Sequence, residues 1–290
     1  MRSGRPSRTA EYVALNRALG TLAPQVPGYS DPIAYHFLPA RWKRRVDKTR
    51  ASLLNGAHGS PYPFWHRGMG VFNQFRTVIL DRAITCVPAL EQLVILGAGL
   101  DSRAWRLNSL QDTVVFEVDH PASQAAKRRR SSAIPFQAKD VRFVAMDFER
   151  DTLAPLLERA GFDPRKRSFW LWEGVTMYLR AEEVSANLGA FAALSAPGSR
   201  IALTYLRKKD GRVPRGLILA LLGEPIRSAF APAEIAELAR SHGWRPISDG
   251  NIEDWLQQTP GVTLTRRQVG LQWLESIWVG EIAARHESST

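Results

Sequence analysis

The chain has 290 residues, 44% hydrophobic and 23% charged, with a formal net charge of +11. These proportions exclude a disordered chain, a collagen-like repeat and a disulfide-rich miniprotein. Cys86 is the only cysteine, which excludes an internal disulfide or a cysteine metal site and fits a reducing, cytoplasmic compartment.

No stretch approaches the roughly 18 apolar residues of a membrane span, and the opening Met-Arg-Ser-Gly-Arg-Pro-Ser-Arg lacks the apolar run of a secretory signal. Residues 1–88 read as an all-helical cap. Arg8 to Leu19 places Tyr12, Val13, Leu15, Ala18 and Leu19 near one face, and Gly20 is expected to end that helix. Asp31-Pro32 reads as a helix start. Arg41 to Leu54 is basic and amphipathic and stops at Asn55-Gly56. A long helix is expected from Phe64 to Val87. Residues 1–60 hold ten Lys/Arg against three Asp/Glu, a balance that suits an anionic partner or a solvated surface.

From residue 89 to 290 the texture changes to strand and helix in alternation. The expected strands are Leu93–Leu96, Val114–Asp119, Arg142–Met146, Ser168–Trp172, Arg200–Tyr205, one starting at Gly243, and Ser276–Ala283. Helices are expected over 120–130, 152–160, 181–194 and 232–241, and residues 207–230 read as an insertion. This alternation implies an α/β chain with a mostly parallel sheet covered on both faces. Trp170, Trp172, Trp244, Trp255, Trp273 and Trp278 are expected to pack in that core.

In such sheets ligands bind beyond the carboxyl ends of the strands. Gly97, Asp119, Asp147 and Glu173 stand at four of those ends. Gly97-Ala98-Gly99 is a glycine turn that lets the backbone approach a ligand closely. A dinucleotide fingerprint needs Gly or Ala where Ser102 stands, which counts against a nicotinamide oxidoreductase. Asp119 follows Gly97 by 22 residues, the spacing of an acid that bonds ribose hydroxyls. A ribose acid without a pyrophosphate loop points to S-adenosylmethionine.

Three blocks carry a resemblance to a known family. Residues 92–119, with Gly97-Ala98-Gly99-Leu100-Asp101-Ser102-Arg103 and Phe116-Glu117-Val118-Asp119-His120, resemble the leucine carboxyl methyltransferase family. Trp172-Glu173-Gly174-Val175-Thr176-Met177-Tyr178 and the helix with Arg76-Thr77 and Asp81 are similar to its later and earlier blocks. Its bacterial branch includes carboxyl methyltransferases of polyketide pathways.

The resemblance implies a Rossmann-like class I methyltransferase sheet of seven strands, the last antiparallel, with an N-terminal helical cap. It implies that Gly97, Ala98 and Gly99 face the methionine part of S-adenosylmethionine and that Asp119, followed by His120, holds the ribose. Asp147 and Phe148 would read the adenine. Glu173 would meet the ammonium or neighbouring strand ends. Arg76, with Arg67 as an alternative, would pair with the methionine carboxylate. Tyr178 and Tyr205 are candidate acceptor-pocket residues.

Methyl transfer from a sulfonium is a positioning task. A carboxylate acceptor is already ionised at neutral pH, whereas a hydroxyl acceptor needs a base, and no His stands at a strand end. The expected function is therefore O-methylation of a carboxylate on a small metabolite, polyketide or peptide, with no metal. The alternatives are hydroxyl O-methylation in natural-product biosynthesis and, from another class, a nucleic-acid-binding module. Lys127-Arg128-Arg129-Arg130 matches a nucleic-acid patch but also the cation preference of a helix C-terminus. Neither nucleic acid nor membrane is expected as a partner.

Overall fold

The computed structural model describes residues 8–56, 61–62, 67–148, 150–212 and 225–282. Four helices come first: α1 (Arg8–Leu22), α2 (Ala34–Phe37), α3 (Ala40–Leu54) and α4 (Arg67–Thr85). Strand β1 (Gln92–Leu96) follows, then α5 (Arg103–Arg106), β2 (Val114–Asp119), α6 (Pro121–Ser131), β3 (Asp140–Ala145), α7 (Leu153–Arg159) and β4 (Ser168–Trp172). The rest is α8 (Ala181–Ala193), β5 (Arg200–Leu206), α9 (Pro232–Arg240), β6 (Trp244–Asn251), α10 (Ile252–Gln257), α11 (Arg266–Val269) and β7 (Glu275–Ile282).

The seven strands form one sheet in the order β3-β2-β1-β4-β5-β7-β6. The first five run parallel, and β7 is antiparallel to both neighbours. The sequence turns at β1, so the ends of β1 and β4 flank the crevice where such sheets bind ligands. Central strands β1 and β4 are buried at every residue, as uninterrupted apolar runs require in a sheet covered on both faces. Alternate residues serve opposite faces. Leu93, Ile95, Phe169 and Leu171 meet Leu15 and Phe75 of the N-terminal helices. Val94, Leu96, Trp170 and Trp172 pack on Leu188 and Phe191 behind, where Trp170 stacks on Phe191 at 4.9 Å.

The expected α/β class I methyltransferase sheet is the one found. Local expectations needed three changes. Gly20 does not end α1, which runs through it to Leu22. A Cβ there would meet the Tyr62 hydroxyl at 2.5 Å and Tyr29 at 3.0 Å, so Gly20 makes room inside the helix. The short α5, α10 and α11 escape periodicity because four to six residues hold at most two turns. Lys127 is no surface residue: it is 1% exposed, bonded to Glu117 at 2.6 Å, with the Trp105 ring 5.0 Å away. The expected helix start at Phe64 and residues 213–224 of the expected 207–230 insertion lie outside the described residues.

Candidate active site

The glycine turn leaves β1 with Gly97 at φ 66° and Gly99 at φ 47°, backbone that a side chain adopts only under strain. A Cβ on Gly97 would meet Val175 at 2.8 Å, and one on Gly99 would meet Ala10 of α1 at 3.0 Å. The turn thus lies between the loop after β4 and the cap. Asp119 closes it from β2. Its Oδ2 accepts from the Gly99 amide and its Oδ1 from the His120 amide at 2.6 Å. Burial pushes the Asp119 carboxyl up from its ordinary value, opposed by those two amides. His120 caps α6, its Nδ1 accepting from the Ala122 amide at 3.2 Å, with Pro121 in the first turn. Asp147 is half-buried beyond β3, its amide bonded to Asp151, and Phe148 beside it is 45% exposed.

A network of buried charge runs from the cap into the strand ends. Arg103 bonds Asp81 at 2.8 Å, Glu173 at 2.9 Å, and Asp101. Arg106 bonds Asp81 at 2.5 Å. Arg76 lies 2.9 Å from Glu173 and 2.8 Å from Glu275, and its third nitrogen bonds Asn73 at 3.1 Å. Ser102 donates to Asp31 at 2.7 Å, so the hydroxyl that departs from the dinucleotide motif clasps the turn to the cap. Burial raises the Glu173 carboxyl, but Arg103, Arg76 and Arg17 together hold it well below the usual range. Asp101 is likewise lowered, with Arg103 and Arg17 overcoming burial. Glu275 is raised, because burial outweighs Arg76 and Glu173 repels it.

Arg17 of α1 stands apart in this network. It is buried, its nearest carboxylate is Asp31 at 3.9 Å, and its Nε and Nη1 lack hydrogen-bond partners among the described residues. Arg103 Nη2 is also unpartnered. Buried donors of this kind carry a penalty until they are satisfied.

The structure thus brings Arg76, Gly97, Ala98, Gly99, Asp119, His120 and Glu173 around one end of the sheet. Arg67 is exposed at the start of α4. Tyr178 packs in a small apolar cluster with Met177, Leu206 and Ala229. Tyr205 is buried, and its hydroxyl donates to Asp249 at 2.7 Å. Sequence reasoning missed Arg17, Asp101, Arg103, Arg106 and Glu275 as a connected set. Arg103 and Arg106 carried a signal, a spacing of three that puts both on one helix face. Arg17 and Glu275 carried none, since only folding brings them here.

Above the turn, α1 leaves a cavity of about 10 Å³ lined by Ala10, Glu11, Gly99, Ser123 and Arg130. That is about one water. Glu11 is paired to Arg41 of α3 and lies 3.7 Å from Arg130 of α6, pinning α1 in place. The chemistry suits S-adenosylmethionine: a glycine cradle, an acid closing that cradle from the next strand and unpartnered guanidinium N–H groups.

Comparison with known proteins agrees with this geometry. The sequence model described as leucine carboxyl methyltransferase matches residues 10–192. A Mycobacterium marinum protein carrying the name of an S-adenosyl-L-methionine-dependent methyltransferase is 33% identical over 85% of this chain and 82% of its own. A similarly named Mycolicibacterium smegmatis protein is 39% identical over 79% of this chain and 76% of its own. A Thermobifida fusca crystal structure, described as that of a methyltransferase, covers 98% of this chain and 97% of its own. Its TM-score is 0.57 at 17% identity, a likeness of fold. The architecture is a class I methyltransferase fold, and the enzyme is a methyltransferase. The chain belongs to the leucine carboxyl methyltransferase family. The expected S-adenosylmethionine cofactor agrees with the names of both relatives.

Proposed function

We propose that this methyltransferase moves the methyl group of S-adenosylmethionine to a carboxylate oxygen of a small metabolite, polyketide or peptide. The bound cofactor supplies a methyl activated on a sulfonium. The chain supplies position and field. Gly97 and Gly99 let the backbone come close, and Asp119 retains lone pairs for ribose hydroxyls. Phe148 is open to stack against the adenine beside Asp147. Arg76 spends Nη1 on Glu275 and Nη2 on Asn73, and its Nε lies 2.9 Å from Glu173 without a hydrogen bond. Arg17, with two unbonded nitrogens and its nearest carboxylate at 3.9 Å, is the less committed guanidinium, so the methionine carboxylate is assigned to Arg17. The network of Arg17, Arg76, Arg103 and Arg106 with Asp31, Asp81, Asp101, Glu173 and Glu275 has one more acid than base. That excess suits a cofactor bearing a sulfonium and an ammonium against one carboxylate.

The observation favouring a carboxylate acceptor is the state of the site acids. Guanidiniums hold Glu173 and Asp101 below the usual range, which makes them poor bases for a hydroxyl. Glu275 is raised, yet Arg76 occupies its Oε1. An ionised acceptor needs no base. With a carboxylate acceptor the chemical step is flat between about pH 6 and 8, and the product is an ester cleaved by mild alkali. A rate that climbs with pH and an alkali-stable methyl ether reject this reading for the hydroxyl alternative.

A further inference from the structure

Helix α3 carries six cations and one acid in fifteen residues. Its apolar side is spent on the fold, with Val46 fully buried and Trp42 packed against the core. The outer side presents Arg41, Arg44, Arg45 and Lys48. Their spacing of i, i+3, i+4 and i+7 forms one stripe about 10 Å long. Asp47 is turned off the stripe, held by the Tyr35 hydroxyl at 3.1 Å and Arg50 at 3.5 Å. Of the four, only Arg41 has an ion-pair partner among the described residues, Glu11. That single acid is shared with Arg130, and Arg129 stands beside it, exposed. Burial, Arg129 and Arg41 together lower the Arg130 guanidinium. Soluble surfaces ordinarily intersperse the two signs. Here one sign is collected on one face, across α3 and α6.

We propose that this face docks an acidic segment of another protein, whose carboxylates pair with Arg44, Arg45 and Lys48. A single-stranded nucleic acid needs open aromatic rings on which bases stack. The nearby rings are already covered, Trp42 by Arg41 at 5.5 Å and Tyr35 by Lys43 at 5.4 Å and Arg50 at 5.3 Å. A helix that inserts into a lipid surface needs an apolar side beside the cations. The apolar side of α3 faces inward, and Leu54, 81% exposed, lies about 80° to 180° around the helix from the stripe. A carboxylate-bearing segment requires only the stripe, whose charge it complements.

Anisotropy of a fluorescein-labelled polyglutamate peptide on the full chain tests this, with a short DNA duplex and phosphatidylserine vesicles measured in parallel. R44E/R45E/K48E is expected to weaken peptide binding by about tenfold or more, and added salt to weaken the parent's binding. R159E/K166E/R245E makes the same charge change at exposed sites elsewhere and is expected to weaken it less than about threefold. R44Q/R45Q/K48Q supplies the comparison if the reversal unfolds the chain, and circular dichroism checks each variant. Equal losses in the two triples, no peptide binding, or tighter patch-dependent binding of duplex or vesicles overturns the proposal.

Discussion

Asp119 does two tasks with one carboxylate. It holds the Gly99 and His120 amides, and in the proposed site its remaining lone pairs accept from the ribose. Its carboxyl is raised by burial, so it takes a proton earlier than a free Asp as pH falls. On the proposed assignment of Asp119 to the ribose, binding needs the ionised acceptor, and affinity is expected to decline on the acid side. Stability runs the other way: a raised carboxyl favours the fold at low pH and gives up that contribution as pH climbs through the raised value. Asp119→Asn is expected to weaken S-adenosylhomocysteine binding about 10- to 100-fold at neutral pH and to flatten the acid limb in calorimetry. An unchanged acid limb assigns that titration to another group. Arg17→Ala separates two parts of the ligand. It should weaken S-adenosylhomocysteine by about tenfold or more, while 5′-methylthioadenosine, which has no carboxylate, binds as before. Equal losses for both ligands would place Arg17 in the fold rather than at the carboxylate.

At the scale of elements, α1 and α4 meet across small residues and a tyrosine. Tyr62 donates to the Asn16 carbonyl at 3.0 Å and accepts from Gln74 at 3.1 Å, and burial pushes its phenol well up. The hydroxyl is therefore fixed, and Gly20 lies under it. On propensity alone Gly20→Ala stabilises a helix interior by about 1 kcal/mol. The contact reverses that sign, because the added methyl falls 2.5 Å from a hydroxyl that cannot retreat. Overpacking of this kind costs roughly 1–3 kcal/mol. Urea titration of Gly20→Ala should show a lower midpoint with an unchanged slope; a higher midpoint would mean that Tyr62 moves freely. The same helix carries Ala10 against Gly99 and Arg17 into the charge network, so its packing sets the geometry of the site.

Across the whole molecule, sequence texture sets an expected helical cap of residues 1–88 apart from a core of residues 89–290. The apolar contacts cross that boundary: Leu15, Phe72 and Phe75 share one cluster with Leu93, Ile95 and Leu171. The buried ion pairs cross it as well, through Arg103 with Asp81 and Arg76 with Glu275. Breaking one partner of a buried pair costs about 3–5 kcal/mol, so the cap cannot leave without destabilising the strand ends. Near-ultraviolet and far-ultraviolet circular dichroism should therefore report one coincident unfolding transition. Two separated transitions would show that the cap folds as an independent unit. Among the described residues, no helix is long and apolar enough to cross a membrane.

The sequence alone determined the succession of elements along the core: apolar runs ending in Gly97, Asp119, Asp147 and Glu173, with helices between. These are local signals, carried by residues adjacent in the chain, and periodicity reads them directly. The glycine turn and the acid that closes it, Asp119, are legible for the same reason, since a fixed strand-to-strand spacing places them together. Tertiary structure decided the rest. Lys127 reads as part of a basic surface run, yet a carboxylate ten residues earlier and two aromatic rings bury it. Gly20 reads as a stop, yet a tyrosine from a distant loop makes it a packing gap. Arg17 and Glu275 lie far from the motifs in sequence, and Arg76 reaches Glu275 across 199 residues. Charge partners at such separations leave no periodic trace, because long-range pairing is fixed by which helix face meets which strand end, and that is settled only when the sheet and its cap close on one core.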